Sequence, residues 1–338
     1  MGGNLLKDIT RRHSAEEYIN KANDVVRRLR YGVGTSSREV SRIKLIPAYN
    51  HKESFGDADI VYATYNNQPL STEELKEFFK TTRVVRNGEV TSFDYEELQV
   101  DLIHAEQDYF EYALAYFSYN DLGNFVGKLA RYFGLSHGHK GLYLPLREPN
   151  GELIDSILIS TDHDATLRFV GLDPIVFNHY GFDTMEDVYR YVQSSPYFNP
   201  DSYKLENISA IGRVRDRKRE SYRNFLKFNE SYSGPVLEKV KDKSVFLERI
   251  FRNFFWSEER FNAAMQKYAF DKAVRIKFNG DIVRNLTYLQ DRELGEFMKH
   301  LRELPQFKPA VLMYLPEDQI NNNIMKEYNE HTACSRGN

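Results

Sequence analysis

The stretch KESFGDADIVY at residues 52–62 constrains this chain more tightly than any other. Two carboxylates one residue apart, Asp57 and Asp59, lead into an apolar run that reads as a β-strand. Residues i and i+2 of a strand point to the same face, so the two acids present their oxygens side by side. Charges that close repel, and a divalent cation is the usual compensation. Mg²⁺ takes a few carboxylates together with phosphate oxygens and water. Gly56 allows a tight backbone turn just ahead of the pair and leaves room for a ligand. The spacing alone also fits solvated acids at the start of a strand.

A third acid narrows the choice. Gln99-Val100-Asp101-Leu102-Ile103 places Asp101 inside a second apolar strand. A carboxylate flanked by strand residues on both sides is costly to bury unless something pairs with it. Three acids from neighbouring strands fit a two-metal phosphoryl-transfer site. Gly56-Asp57-Ala58-Asp59, followed one strand later by hydrophobic-Asp101-hydrophobic, resembles the polymerase-beta-type nucleotidyltransferase superfamily over roughly residues 14–135. That superfamily includes CCA-adding enzymes, poly(A) polymerases, repair polymerases, second-messenger synthases and protein-modifying toxins. Its motif begins with a strand ending in Gly-Gly or Gly-Ser. Here Ala48-Tyr49, at the end of the expected strand 43–48, stands where the family has its Gly-Ser, and the gap to Asp57 is a little short. The family uses that Gly-Ser for nucleotide phosphates, so Lys52 and Ser54 are the candidates to stand in.

The resemblance implies an α+β fold: a small mixed β-sheet palm with helices on one face, followed by a mostly helical accessory region. The expected domains are residues 1–160, carrying catalysis, and 161–338. Asp57, Asp59 and Asp101 would be both the metal ligands and the catalytic residues, holding two Mg²⁺, with Mn²⁺ as the alternative. The donor would be a nucleoside triphosphate such as ATP, with pyrophosphate released.

Composition excludes several other classes. A single cysteine, Cys334, rules out a disulfide framework and a cysteine-based zinc site within the chain. This fits a reducing cytoplasm. No run approaches the length of a membrane-crossing helix, and no apolar signal core opens the chain. Met1-Gly2 lacks the Ser or Thr that myristoylation would need, since Leu6 stands there. A net charge of −3 gives no global signal for nucleic acid, so such contact must come from a local patch.

Residues 2–6 read as an arm or loop. Ser14-Ala15-Glu16-Glu17 is a capping box, and Tyr18, Ala22, Val25, Val26 and Leu29 recur at helical spacing behind it. Residues 32–37 lack either glycine spacing of a phosphate loop and read as a connector. Ser71 caps a helix through Phe79, and Asn87-Gly88 marks a hairpin.

After the Asp101 strand, residues 108–119 read as a buried helix. Asn120, Asn124, Lys128 and Arg131 then fall at positions that share a helical face. Related nucleotidyltransferases place Asn and Lys or Arg on a helix after the third acid, which implies nucleotide contacts here. A solvent-facing helix side is the alternative. Gly123 and Gly127 mark a strip where another group approaches closely. His137 and His139 lack a completing ligand set and read as a polar loop. Asp162-His163-Asp164 repeats the D-x-D spacing but reads as a helix cap.

The one dense basic run is residues 213–223. Arg213, Arg215, Arg217, Lys218, Arg219 and Tyr222 make it the candidate nucleic-acid contact, with a solvated face as the plain alternative. Residues 246–256 read as an apolar core helix. Residues 275–298 look faintly like the tail of bacterial-type tRNA nucleotidyltransferases. An RNA 3′ end, such as that of tRNA, is therefore the favoured acceptor. A small nucleotide or a protein side chain as acceptor, or a catalytically inactive binding or structural protein on the same fold, are the other readings. The tail from about residue 327 reads as frayed.

Overall fold

The computed structural model describes residues 5–32, 39–148 and 150–335. Residues 2–4 of the expected arm and 33–37 of the expected connector lie outside them. The architecture is α+β. The strands are β1 (His13–Ser14), β2 (Val40–Leu45), β3 (Ser54–Phe55), β4 (Asp57–Thr64), β5 (Val84–Asn87), β6 (Val90–Tyr95), β7 (Leu98–His104), β8 (Ser136–Gly138), β9 (Gly141–Arg147) and β10 (Leu153–Ser160). A mixed five-stranded sheet runs in the order β2-β4-β7-β6-β5. Its one parallel pair is β4 with β7, which sets Asp59 directly beside Asp101 and Asp57 beside Gln99.

Strand alternation sorts the side chains of β4 and β7. Ala58, Ile60, Tyr62, Val100 and Leu102 share one core with residues of α1 (Ala15–Gly32) and α2 (Thr72–Phe79). Helix α1 forms where the capping box predicts: Ser14 N–H donates to Glu17 at 3.2 Å and Glu17 N–H to Ser14 Oγ at 3.3 Å. Its buried stripe is Tyr18, Ala22, Val25 and Leu29. Each larger member contributes about 1.5–3 kcal/mol by leaving water, so Leu29→Asp would break the packing of α1 on the sheet.

The opposite face carries the acids at one end. Further along, Val61, Ala63 and Ile103 pack against Phe110 and Ala113 of α3 (Phe110–Phe117). Strand β2 begins and ends three residues earlier than its pattern suggests. Ile46 N–H still reaches Asp59 O at 2.9 Å, but Pro47 has no N–H to continue the ladder. A smaller antiparallel sheet, β10-β9-β8, follows α4 (Leu122–Tyr132). Residues 136–138 are thus a strand rather than a loop, paired on β9.

Next come α5 (His163–Phe169), α6 (Met185–Gln193), α7 (Ala210–Lys218), α8 (Glu220–Asn229) and α9 (Leu247–Asn253). Asp162 caps α5 by accepting from Ala165 N–H, as expected. Residues 246–256 are only partly a core helix: Phe255 and Trp256, beyond α9, are exposed.

Two compact units emerge, residues 1–257 and 258–338. In the second, α10 (Ser257–Lys277), α11 (Gly280–Thr287), α12 (Asp291–Glu303), α13 (Pro309–Leu312) and α14 (Glu317–Ser335) enclose a core that includes Phe278, Phe297, Leu301, Phe307 and Ile320. The tail is helical through Ser335, not frayed from residue 327. Among the described residues, no helix is long and apolar enough to cross a membrane.

Candidate active site

Asp57, Asp59 and Asp101 converge. Each offers one carboxylate oxygen, and these oxygens all lie within 4.8 Å of one another. The convergence follows from register: β4 supplies two acids at i and i+2, and β7, parallel and in step, supplies the third. Burial, then Asp57, then Asp101 push the Asp59 carboxyl up to about 8. Burial raises Asp101 as well, opposed by hydrogen bonds from Ser92 and Gln99. A set of oxygen-only donors this close, holding protons it would ordinarily shed, has the chemistry of a hard divalent cation site.

The surroundings fix Asp101. Gln99 Nε2 donates to both of its oxygens, at 3.0 and 3.1 Å. The same amide's Oε1 accepts from Leu5 and Leu6 N–H at 3.1 Å, which locks its orientation. Ser92 sits opposite Asp101 on β6. Gln99 was findable from sequence, because it lies two residues from Asp101 on the same strand face. Ser92 was not, because its neighbour is set by the register of a hairpin.

The triad opens into a cleft of about 690 Å³. Ala48, Lys52, Tyr18, Asn120 and Asn124 line it, with Tyr116, Phe117 and His139 forming an aromatic end. Lys52 extends over the Phe55 ring at 4.4 Å. Burial lowers its pKa, while Asp57 and Asp59 favour its charge. Ser54 is engaged by Arg12, whose Nε and Nη2 reach Ser54 Oγ at 3.1 and 2.8 Å. Gly56 is buried between β3 and β4.

The expected polar stripe takes a different form. Asn120 is not on the helix. Tyr119 and Asn120 both have positive φ, 56° and 61°, in the turn before α4, and that turn brings Asn120 to the cleft. Asn124 is on α4 and faces the same cleft. Lys128 is buried and pairs with Asp216 at 3.3 Å. Arg131 is exposed and is not among the residues lining the cleft. Gly123 receives the close approach its position suggests, from the Tyr116 backbone.

The basic run is not one helix face. It breaks at Arg219, whose backbone is extended (φ −84°, ψ 122°) between α7 and α8. Arg215, Lys218 and Arg219 line the same cleft as the three acids. Tyr222 is fully buried, its hydroxyl donating to Tyr203 O at 2.6 Å, so it offers no stacking surface. Arg213 donates to the carbonyls of Leu205 and Ile208. Arg223 donates to that of Arg217, itself exposed. Two buried acids organise this wall and had no distinguishing sequence signal: Asp121, bonded to Arg219 and Ser221, and Asp216.

No protein-family model matches the chain, and no curated protein matches it. Among solved structures, a ternary complex of Leishmania infantum polymerase beta is similar with a TM-score of 0.34 and 16% identity, covering 43% of this chain. The chain spans 62% of that protein's length, less than two thirds. A likeness at that level defines no family, and the cleft's own geometry defines what it can do.

Proposed function

We propose that the chain catalyses metal-dependent nucleotidyl transfer from a nucleoside triphosphate to an acceptor hydroxyl, with release of pyrophosphate. One observation carries this reading: three carboxylates from two paired strands, all within 4.8 Å, at the floor of a cleft whose wall bears Arg215, Lys218 and Arg219. Asp57, Asp59 and Asp101 would together hold two Mg²⁺ ions, or Mn²⁺ in their place. Bound there, the ions supply Lewis acidity to the acceptor hydroxyl and balance the charge that builds on the departing pyrophosphate. Asp101, whose carboxylate burial makes more basic, accepts the hydroxyl proton on an oxygen that Gln99 and Ser92 hold in place. Lys52 and the cationic wall bind the phosphates, and Asn120 and Asn124 are placed to hydrogen-bond the sugar or base.

An RNA 3′ end is the acceptor to test first, because the exposed Arg217 stands beside the cleft wall in α7. The test incubates the protein with each labelled NTP, Mg²⁺ or Mn²⁺, and total RNA, beside an Asp57→Asn/Asp59→Asn control. Label in RNA supports an RNA acceptor; label in protein or in a soluble dinucleotide assigns the other acceptor classes. No metal-dependent transfer to any of them would overturn the reading and leave an inactive binding protein.

A further inference from the structure

The cleft wall has an internal scaffold. Asp216 is completely buried and receives three donors: Arg215 Nε at 2.7 Å, Lys128 Nζ at 3.3 Å and Asn124 Nδ2 at 3.4 Å. Arg215 Nη2 also donates to Asn124 Oδ1 at 2.8 Å. Asp121, 4% exposed, holds Arg219 Nη1 and Ser221 Oγ. The Arg215 guanidinium is thus clamped along its Nε–Nη2 edge, and that of Arg219 is held at Nη1. Among the described residues, Arg215 Nη1 and Arg219 Nη2 make no hydrogen bond.

This arrangement is costly. Burying carboxylates and an ammonium forfeits several kcal/mol per ion, and an apolar set of similar volume is commonly as stable or more so. The charges therefore need another reason to be there, and geometry supplies one. Asp216 is buried beside Arg215 and, with Asn124, holds its Nε–Nη2 edge; Asp121 shares the cleft's lining with Arg219 and holds it at Nη1; and both arginines line the cleft that contains the acid triad. A triphosphate carries more negative charge than metal ions already shared with three carboxylates can offset, so its binding needs fixed cations. Pre-oriented guanidiniums supply them with less ordering cost than free side chains.

We propose that Asp216, seconded by Asp121, is a positioning residue that aims Arg215 and Arg219 at the triphosphate, so that the centre of the basic run serves the nucleotide rather than a polynucleotide track. This inference rests on the nucleotidyl-transfer reading.

Binding of each of the four ribonucleoside triphosphates with Mg²⁺ to the full chain tests it by calorimetry, alongside Mn²⁺ binding alone and the melting temperature. The decisive variant is Asp216→Leu/Lys128→Met, which replaces the buried ion pair with apolar groups. It is expected to melt near or above the wild type and to bind Mn²⁺ alone unchanged, yet to bind Mg²⁺–nucleotide about tenfold or more weakly. Arg215→Gln, at a half-exposed side chain, is expected to show the same loss of nucleotide affinity, with Mn²⁺ binding alone unchanged and a lowered melting temperature, because buried Asp216 loses a charged donor. Wild-type nucleotide affinity in Arg215→Gln, or in the folded double variant, overturns the inference and makes Asp216 merely structural. If the double variant does not fold, Arg215→Gln with Asp216→Asn decides the matter. A wild-type protein that binds no nucleotide with either metal defeats the nucleotidyl-transfer reading itself, a result distinct from variants that match a binding wild type.

Discussion

Asp59→Asn should make the metal-free protein more stable in alkaline solution while removing its response to metal. Asp59 has carboxylate neighbours on two sides, Asp57 and Asp101, all within 4.8 Å. At an effective dielectric near 20, one pair of charges at that separation repels by roughly 3 kcal/mol. The fold answers by holding a proton: burial and the two acids lift Asp59 from 3.8 to about 8. The sign follows from linkage. A group whose folded pKa exceeds its unfolded value binds more protons when folded, so stability falls as pH rises from about 4 to about 8. The amide has no charge to repel and is indifferent to pH. We expect near-equal stability at pH 4 and, at pH 8.5, an advantage to Asp59→Asn of about 2 kcal/mol. This is less than the roughly 6 kcal/mol the full shift would allow, because charge is shared across the triad and water reaches part of it. For a unit of this size that is a rise in Tm of about 4–8 °C. Thermal denaturation of both proteins at the two pH values, with EDTA and with Mn²⁺, measures it. Mn²⁺ should raise the wild-type Tm at pH 8.5 and leave the variant nearly unmoved. A variant that is less stable at pH 8.5, or that Mn²⁺ stabilises as much as the wild type, would refute the reasoning.

Other outcomes follow from the same structure. Gly123→Ala would put a Cβ 2.2 Å from the Tyr116 carbonyl oxygen, so unfolding studies should show a loss of about 3 kcal/mol or more. Gly127→Ala meets His137 Cβ at 3.7 Å and its carbonyl oxygen at 3.9 Å, ordinary contacts, and should gain about 0.5–1 kcal/mol from helix propensity. Tyr222→Phe removes a buried hydroxyl bonded to Tyr203 O and should cost about 1 kcal/mol in denaturant titration, with nucleotide binding intact. If RNA is the acceptor, Arg217→Ala should leave nucleotide binding unchanged and reduce the salt dependence of RNA binding, the log–log slope becoming shallower by about 0.7 for every phosphate the side chain had neutralised.

The fold was legible where a local rule had one outcome. The capping boxes at Ser14 and Ser71 and the Asn87-Gly88 hairpin appear as expected. The strand alternation that sends Asp57 and Asp59 to one face also fixes the face on which Asp101 must meet them. Rules that depend on distant partners were not legible. Helical spacing put Asn120 on a helix, but Tyr119 and Asn120 turn left-handed before α4 begins. The density of the basic run concealed a break at Arg219, whose side chain is held by an acid 98 residues away in sequence. Lys128 looked like a phosphate ligand because its partner, Asp216, is likewise remote in the chain. Asp216 itself looked like one acid among arginines, and only its burial distinguishes it.

Divalent-cation binding is the most direct test of the acid triad. Electron paramagnetic resonance of Mn²⁺ in the presence of a nucleoside triphosphate should count two ions per chain in the wild type and none held by the Asp57→Asn/Asp59→Asn/Asp101→Asn variant at equal concentration. Equal Mn²⁺ binding by the two proteins would contradict the account.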